Sequence, residues 1–158
     1  MGQIIIAVDP GYTTGIVVGK VTGPRDFFVI EAAEYDWEGR FRIGDLLDRY
    51  RPSVVVVENF RLYAHSARNQ INSPFPSARV IGVVDTFCWE RGIEVVMQMP
   101  AMRSSVTVLD EHKPILEGSP HTADAYRHLR YYILMNGAKH LEDAVPLPSS
   151  SNQVSFRP

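Results

Sequence analysis

Two unbroken aliphatic runs, each closed by an acid, constrain this chain more than any other feature. Ile4-Ile5-Ile6-Ala7-Val8 leads into Asp9, and Val54-Val55-Val56-Val57 leads into Glu58. A run with no polar alternation fits a strand covered on both faces, the usual situation in a parallel sheet. Between the runs, residues 38–50 carry Phe41, Ile43, Leu46, Leu47 and Tyr50 at helical spacing. Arg51-Pro52 ends that helix. The second run therefore returns beside the first through a right-handed helical crossover. Two adjacent parallel strands then deliver carboxylates to one edge of the sheet. Burying a carboxylate is costly unless it is paired or binds a cation, so the pair predicts a shared site for divalent metal.

The rest of the chain completes the architecture. Pro10-Gly11 turns the chain, and Gly15–Gly19 reads as a second strand in a hairpin with the first. Thr22-Gly23-Pro24 is a turn, and Phe27–Ile30 is a third strand antiparallel to the second. Residues 61–75 are polar and read as a surface loop. Ser77–Arg91 forms a helix with Val80, Ile81, Val83, Val84, Phe87 and Cys88 apolar; Gly82 within it is expected to permit close packing. Gly92 stops this helix, Ile93–Met97 is a fifth strand, and 99–118 is irregular. Ser119 as cap and Pro120 at the first position open a last helix. It runs to about Met135, and Asn136-Gly137 ends it. The expected fold is α/β, a mixed five-stranded sheet made of a three-strand antiparallel meander plus two parallel strands, with helices on both faces. A chain of 158 residues suits a single core. Residues 1–142 form that domain, and 143–158, rich in Pro and Ser, form a flexible tail.

Composition removes several classes. No apolar run approaches a membrane span, and Met1-Gly2-Gln3 lacks the basic start of a signal peptide. Cys88 is the only cysteine, which excludes an internal disulfide and points to a reducing, cytoplasmic location. In an apolar helix it reads as a small core residue. The net charge of −2 is uninformative, but its distribution is not. No acid lies between Glu58 and Asp85, where Arg61, His65, Arg68 and Arg79 fall. Arg127, His128, Arg130, Lys139 and His140 form another acid-free stretch. Glu31, Glu34, Asp36, Glu38, Asp45 and Asp48 crowd elsewhere. The asymmetry predicts a basic face able to steer a polyanion; scattered solvated arginines are the plainer alternative.

The last helix supplies the remaining chemistry. His121, Asp124 and His128 are spaced to share one helical face, and Ala125 beside them is small enough to let the helix approach the sheet. Asp9, Glu58, Asp124 and His121 then form a cluster whose oxygens suit Mg²⁺ or Mn²⁺. Such a cluster fits phosphodiester hydrolysis by two ions, one generating hydroxide and one stabilising the departing oxygen. Asp9 is the candidate to bridge both ions, Glu58 to hold one, and Asp124 with His121 to hold the other. His121 can alternatively position the water or carry a proton. Each residue has a structural alternative: Asp9 as a turn former, Glu58 paired with an arginine such as Arg61, Asp124 complementing the helix dipole. His128 alone reads as satisfying a local hydrogen bond. His65, His112 and His140 carry no usable signal.

Three motifs in order carry a resemblance. They are Ile5-Ile6-Ala7-Val8-Asp9-Pro10-Gly11 with Gly15, Val55-Val56-Val57-Glu58-Asn59-Phe60, and His121-Thr122-Ala123-Asp124-Ala125. Over roughly residues 3–136 the chain resembles the RuvC-type Holliday-junction resolvases of the ribonuclease H-like superfamily. The resemblance implies a bacterial or phage crossover junction endodeoxyribonuclease of DNA recombination and repair. It also implies a homodimer that cuts paired strands of a four-way junction symmetrically, with two Mg²⁺ or Mn²⁺ per site. It maps the metal-site residues onto Asp9, Glu58, His121 and Asp124. The family places an aromatic three residues after its Glu, at the junction core. Here Arg61 stands there, with Phe60 before it and Tyr63 after it, and either ring can serve. A basic residue after the fifth strand maps to Arg103; Lys113 is the nearest counterpart of a second. Arg61, Arg68, Arg79 and Arg103 are candidate phosphate contacts, which position DNA without reading it. Phe60 and Tyr63 are candidates for stacking on an unpaired base, or for packing under their own loop. The broadly apolar helix 77–91 is expected at the dimer contact.

Three rivals remain open on sequence. Asp9-Pro10-Gly11-Tyr12-Thr13-Thr14-Gly15 also looks like the phosphate loop of actin-like ATP-binding domains. A different nuclease on the same fold would act on RNA–DNA hybrids, flaps or ordinary duplex, since fold does not settle substrate. A DNA-binding module with a dead site is the third.

Overall fold

The computed structural model describes residues 2–60 and 74–142. The sheet has five strands: β1 (Ile4–Asp9), β2 (Thr14–Val21), β3 (Phe27–Tyr35), β4 (Val54–Glu58) and β5 (Glu94–Gln98). Their spatial order is β3-β2-β1-β4-β5. The first three pair antiparallel, while β1–β4 and β4–β5 pair parallel. This is the expected meander extended by two crossovers. The third strand runs five residues beyond the predicted Ile30, to Tyr35. Its ladder with β2 is interrupted between Val18 and Gly19, and its residues are only half-buried or exposed. An edge strand of mixed polarity carries too weak a pattern to show its full length.

Burial explains the aliphatic runs. Ile5 and Ala7 of β1, with Val54 and Val56 of β4, pack on the face covered by Ala125, Tyr126, Leu129 and Ile133. Ile6 and Val8, with Val55 and Val57, pack on the opposite face against Ile43, Leu46, Leu47, Val80, Val84 and Cys88. Each such aliphatic side chain contributes roughly 1.5–3 kcal/mol when fully buried. Both faces of the central strands therefore have to be apolar. Cys88 is fully buried, and burial pushes its thiol up to about 11, as expected of an inert core residue.

The helical segment at 38–50 is divided. Glu38–Arg42 is a 3₁₀ turn and α1 covers Ile43–Tyr50. Phe41 falls in the turn and is 51% exposed, so it does not share the buried stripe predicted for it. Its ring lies 4.3 Å from the Arg40 guanidinium. The next helix, α2 (Pro76–Arg91), opens on a left-handed Phe75 and closes on Gly92 at φ 64°. It buries only Val80, Val84 and Cys88. Among the described residues a Cβ on Gly82 would meet nothing within 4 Å, so there this glycine permits no close packing, contrary to expectation. The region 99–118, expected to be irregular, holds a short helix α3 (Pro100–Arg103) and a 3₁₀ segment, Asp110–Leu116.

The long helix α4 (Pro120–Asn136) begins as predicted, with Ser119 Oγ accepting from the Thr122 amide at 3.2 Å. Gly137 follows it in right-handed conformation (φ −56°), and the chain continues into α5 (Lys139–Glu142). Gly137 is needed for contact rather than for a left-handed cap: a Cβ there would sit 2.4 Å from the Pro24 carbonyl oxygen. His112 meets the Tyr126 hydroxyl at 2.8 Å, and His140 bridges Tyr132 and Gln3, so both serve the packing of α4. Among the described residues, no helix is long and apolar enough to cross a membrane.

Candidate active site

Strand alternation decides where the acids point. In β1 and β4, Ala7 and Val56 lie on the α4 face. Two residues further along, Asp9 and Glu58 repeat that orientation. The parallel register Val8↔Val57 sets them level at the strand ends. Both carboxylates therefore face α4, whose first turns carry His121, Asp124 and His128.

The helix comes close because of glycine. Gly15 pairs with Asp9 across the hairpin. A Cβ on Gly15 would lie 2.1 Å from the His121 carbonyl oxygen. The backbone of α4 thus rests directly on β2, with no room for a side chain between. Ala125, given that role from the sequence, is fully buried in the same interface. His121 Nδ1 is 3.1 Å from Asp9 Oδ2. His128 Nε2 is 2.7 Å from Glu58 Oε2, a contact across the fold and not the local bond expected from sequence. Its other nitrogen, Nδ1, is 2.7 Å from Gln98 Oε1.

Arg103 joins the remaining acids. It follows β5 at the end of α3, and its Nη1 donates to Glu58 Oε2 at 2.6 Å and lies 3.3 Å from Asp124 Oδ2. Asp124 Oδ1 accepts from Arg127 Nη1 at 2.6 Å, one turn along α4. Glu58 therefore has an arginine partner in Arg103; Arg61, suggested by the sequence, lies outside the described residues. The cluster consists of an Asp9–His121 pair beside a Glu58–Arg103–Asp124 bridge. Among the described residues, no three acid, His or Cys side chains converge tightly enough to enclose one ion in this arrangement. A guanidinium stands between two of the carboxylates.

The electrostatics show the strain of concentrating acids here. Asp9 is 8% exposed. Burial first, opposed by the His121 hydrogen bond and reinforced by the charges of Glu58 and Asp124, raises its pKa from 3.8 to about 6. Burial would also raise Glu58, but the His128 hydrogen bond and the Arg103 charge outweigh it and hold that carboxyl below its ordinary value. The donor types, three carboxylates and an imidazole, suit a hard divalent cation, and Arg103 already supplies positive charge between Glu58 and Asp124.

A cleft of about 420 Å³ opens over the cluster, lined by Asp9, Pro10, Gly11, Tyr12, Thr13, Ser77, Arg103, His121 and Asp124. A neighbouring groove of about 410 Å³ runs past Arg103, Ser104, Thr107, Lys113, Asp124 and Arg127. Arg103 and Lys113 thus line one groove. Arg79 is exposed at the start of α2, with its guanidinium 5.3 Å from the Trp37 ring. That ring meets Tyr12 of the cleft rim edge-on at 5.9 Å. Phe60 is half-buried and packs edge-on against Phe75 at 5.9 Å. Arg61, Tyr63 and Arg68 lie outside the described residues. The sequence does not single out Gln98, and it marks Arg127 only as part of a basic stretch and not as a partner of Asp124. Gln98 was detectable in principle, because it closes β5 in register with Glu58.

Comparison with solved structures identifies the fold. RuvC of Thermus thermophilus superposes with a TM-score of 0.67 at 18% identity, covering 87% of this chain and 98% of that one. The T. thermophilus RuvC in complex with a Holliday junction substrate gives 0.65 at 21% identity, covering 84% and 96%. The yeast mitochondrial Holliday junction resolvase gives 0.54 at 9% identity, covering 82% and 77%. No family model and no curated protein sequence matches the chain. The chain has the RuvC-type, ribonuclease H-like fold.

Proposed function

We propose that this protein is a metal-dependent endodeoxyribonuclease that resolves four-way DNA junctions by paired, symmetric phosphodiester hydrolysis. The observation that carries the reading is the gathering of three acids distant in sequence at the ends of β1 and β4 and the start of α4: Asp9 and Asp124 line one cleft, and Arg103 bridges Asp124 to Glu58. The junction as substrate is supported by the fold shared with the resolvases above. In this reading Asp9, Glu58, Asp124 and His121 hold Mg²⁺ or Mn²⁺, two per site. Bound there, the ions would supply a nucleophile from water at neutral pH and offset charge on the departing oxygen.

The chain's own groups do the rest. Asp9 is the residue best placed to be shared, since its charge is felt with those of both Glu58 and Asp124. His121 fixes the Asp9 carboxylate through Nδ1. Arg103 can exchange its carboxylate partners for a phosphodiester entering the cleft, and Arg127 and Lys113 extend positive charge along the groove. Arg61, Arg68 and Arg79 serve as further backbone contacts, which set register without reading sequence. Phe60 or Tyr63 stacks at the junction core. Symmetric cutting needs two sites, and we assign the dimer contact to the outward side of α2, where Trp89 is 81% exposed. A ring so exposed is the kind of residue that interfaces bury.

The test is direct. A mobile four-way junction, a splayed flap, an RNA–DNA hybrid and linear duplex are each incubated with the protein, with and without Mg²⁺. Symmetric nicks confined to the junction and dependent on the ion are expected. Asp9→Asn is expected to abolish cutting while leaving junction binding. Preferred cutting of hybrid or flap would replace the substrate, and undiminished cutting by the variant would remove Asp9 from the mechanism.

A further inference from the structure

We propose that Gln98 and His128 form a buried positioning pair that fixes the carboxylate of Glu58 for ion binding. The inference rests on the reading of Glu58 as an ion-holding residue. His128 has no exposed surface, and Gln98 is 4% exposed. His128 touches Glu58 Oε2 with one ring nitrogen and Gln98 Oε1 with the other, each at 2.7 Å. The pair is built from two elements: Gln98 closes β5 beside Glu58 in register, and His128 projects from the third turn of α4.

Two features make this more than core packing. A histidine with no access to water needs both nitrogens satisfied, and an apolar residue would fill the same space without that requirement. The ring is instead tied on one side to Glu58, the acid that Arg103 bridges to Asp124. Glu has three rotatable bonds, and an unsupported Glu58 can turn fully onto Arg103. A ring held at its far nitrogen by Gln98 limits that rotation and fixes which oxygen is engaged. Partners of this kind behind an ion-holding carboxylate or imidazole typically change metal affinity or activity roughly 10–100-fold when removed.

The experiment measures Mn²⁺ binding to the full chain by electron paramagnetic resonance, without DNA and far below the melting temperature. His128→Ala is expected to weaken binding at least roughly tenfold. His128→Gln, which keeps an N–H at similar reach, is expected to recover most of the loss. Equal affinity in wild type and His128→Ala would overturn the proposal, as would equal weakening in His128→Ala and His128→Gln. If the alanine variant does not fold, nitrogen-15 NMR of the wild-type ring decides. The buried Nε2–H signal should move on Glu58→Gln, and an unmoved signal refutes the pairing. Absence of Mn²⁺ binding by the wild type would remove the ion-site reading itself and this role with it.

Discussion

Replacing Asp9 by Asn should make the ion-free protein more stable at neutral pH, by an amount that depends on pH in a defined way. The Asp9 pKa rises from 3.8 to about 6 on folding. Between those values the folded chain binds more protons than the unfolded one, so stability falls as pH rises. The full difference is about 3 kcal/mol, of which about 2 kcal/mol is lost between pH 4.5 and 7.5. Asparagine cannot ionise and keeps an oxygen for His121, so the variant lacks this loss. Urea denaturation in EDTA at both pH values reads the effect as a difference between wild type and variant. Groups that titrate in both proteins largely cancel. The advantage of Asp9→Asn should grow by about 2 kcal/mol from the lower to the higher pH. Added Mg²⁺ at pH 7.5 should then favour the wild type selectively. Parallel stability curves for the two proteins would refute the reasoning, because they would mean that Asp9 is neither desolvated nor crowded by acids.

Two further outcomes follow from the same geometry. Gly15→Ala should destabilise by about 1–3 kcal/mol or more, because the new methyl meets the His121 carbonyl, which is backbone and cannot turn aside; thermal melts check it, and an unchanged melting temperature would deny the close seating of α4. Arg103→Ala in EDTA should cost about 1–3 kcal/mol, between the values for exposed and buried ion pairs, since Glu58 and Asp124 lose the cation they share. Mg²⁺ should shrink that deficit, and an equal deficit with and without the ion would show that Arg103 does not stand where a metal can.

The strands and the acids were legible for one reason. Residues buried on both sides leave an unbroken apolar run, and the polar residue that ends it marks the sheet edge. Asp9 and Glu58 were therefore found with their neighbours, and α4 announced itself through Ser119-Pro120. What escaped depends on contacts between segments remote in sequence. No periodicity says that Arg103 reaches both Glu58 and Asp124, or that His128 leans on Gln98. The outer half of β3 escaped because its exposed edge tolerates polar residues. Phe41 was misread for the opposite reason: its spacing suits a helix, but the backbone there is a 3₁₀ turn, whose tighter winding rotates it out of the stripe.

The seating of α4 on Gly15 has a bearing on how the protein is born. A nascent chain released only as far as β5 already carries Asp9 and Glu58, but Asp124 and His121 are still within the ribosome. The pocket is assembled only when the closing helix docks across the first hairpin. A chain extended only to β5 thus lacks two of the four side chains of the cluster, and gains both together when α4 packs.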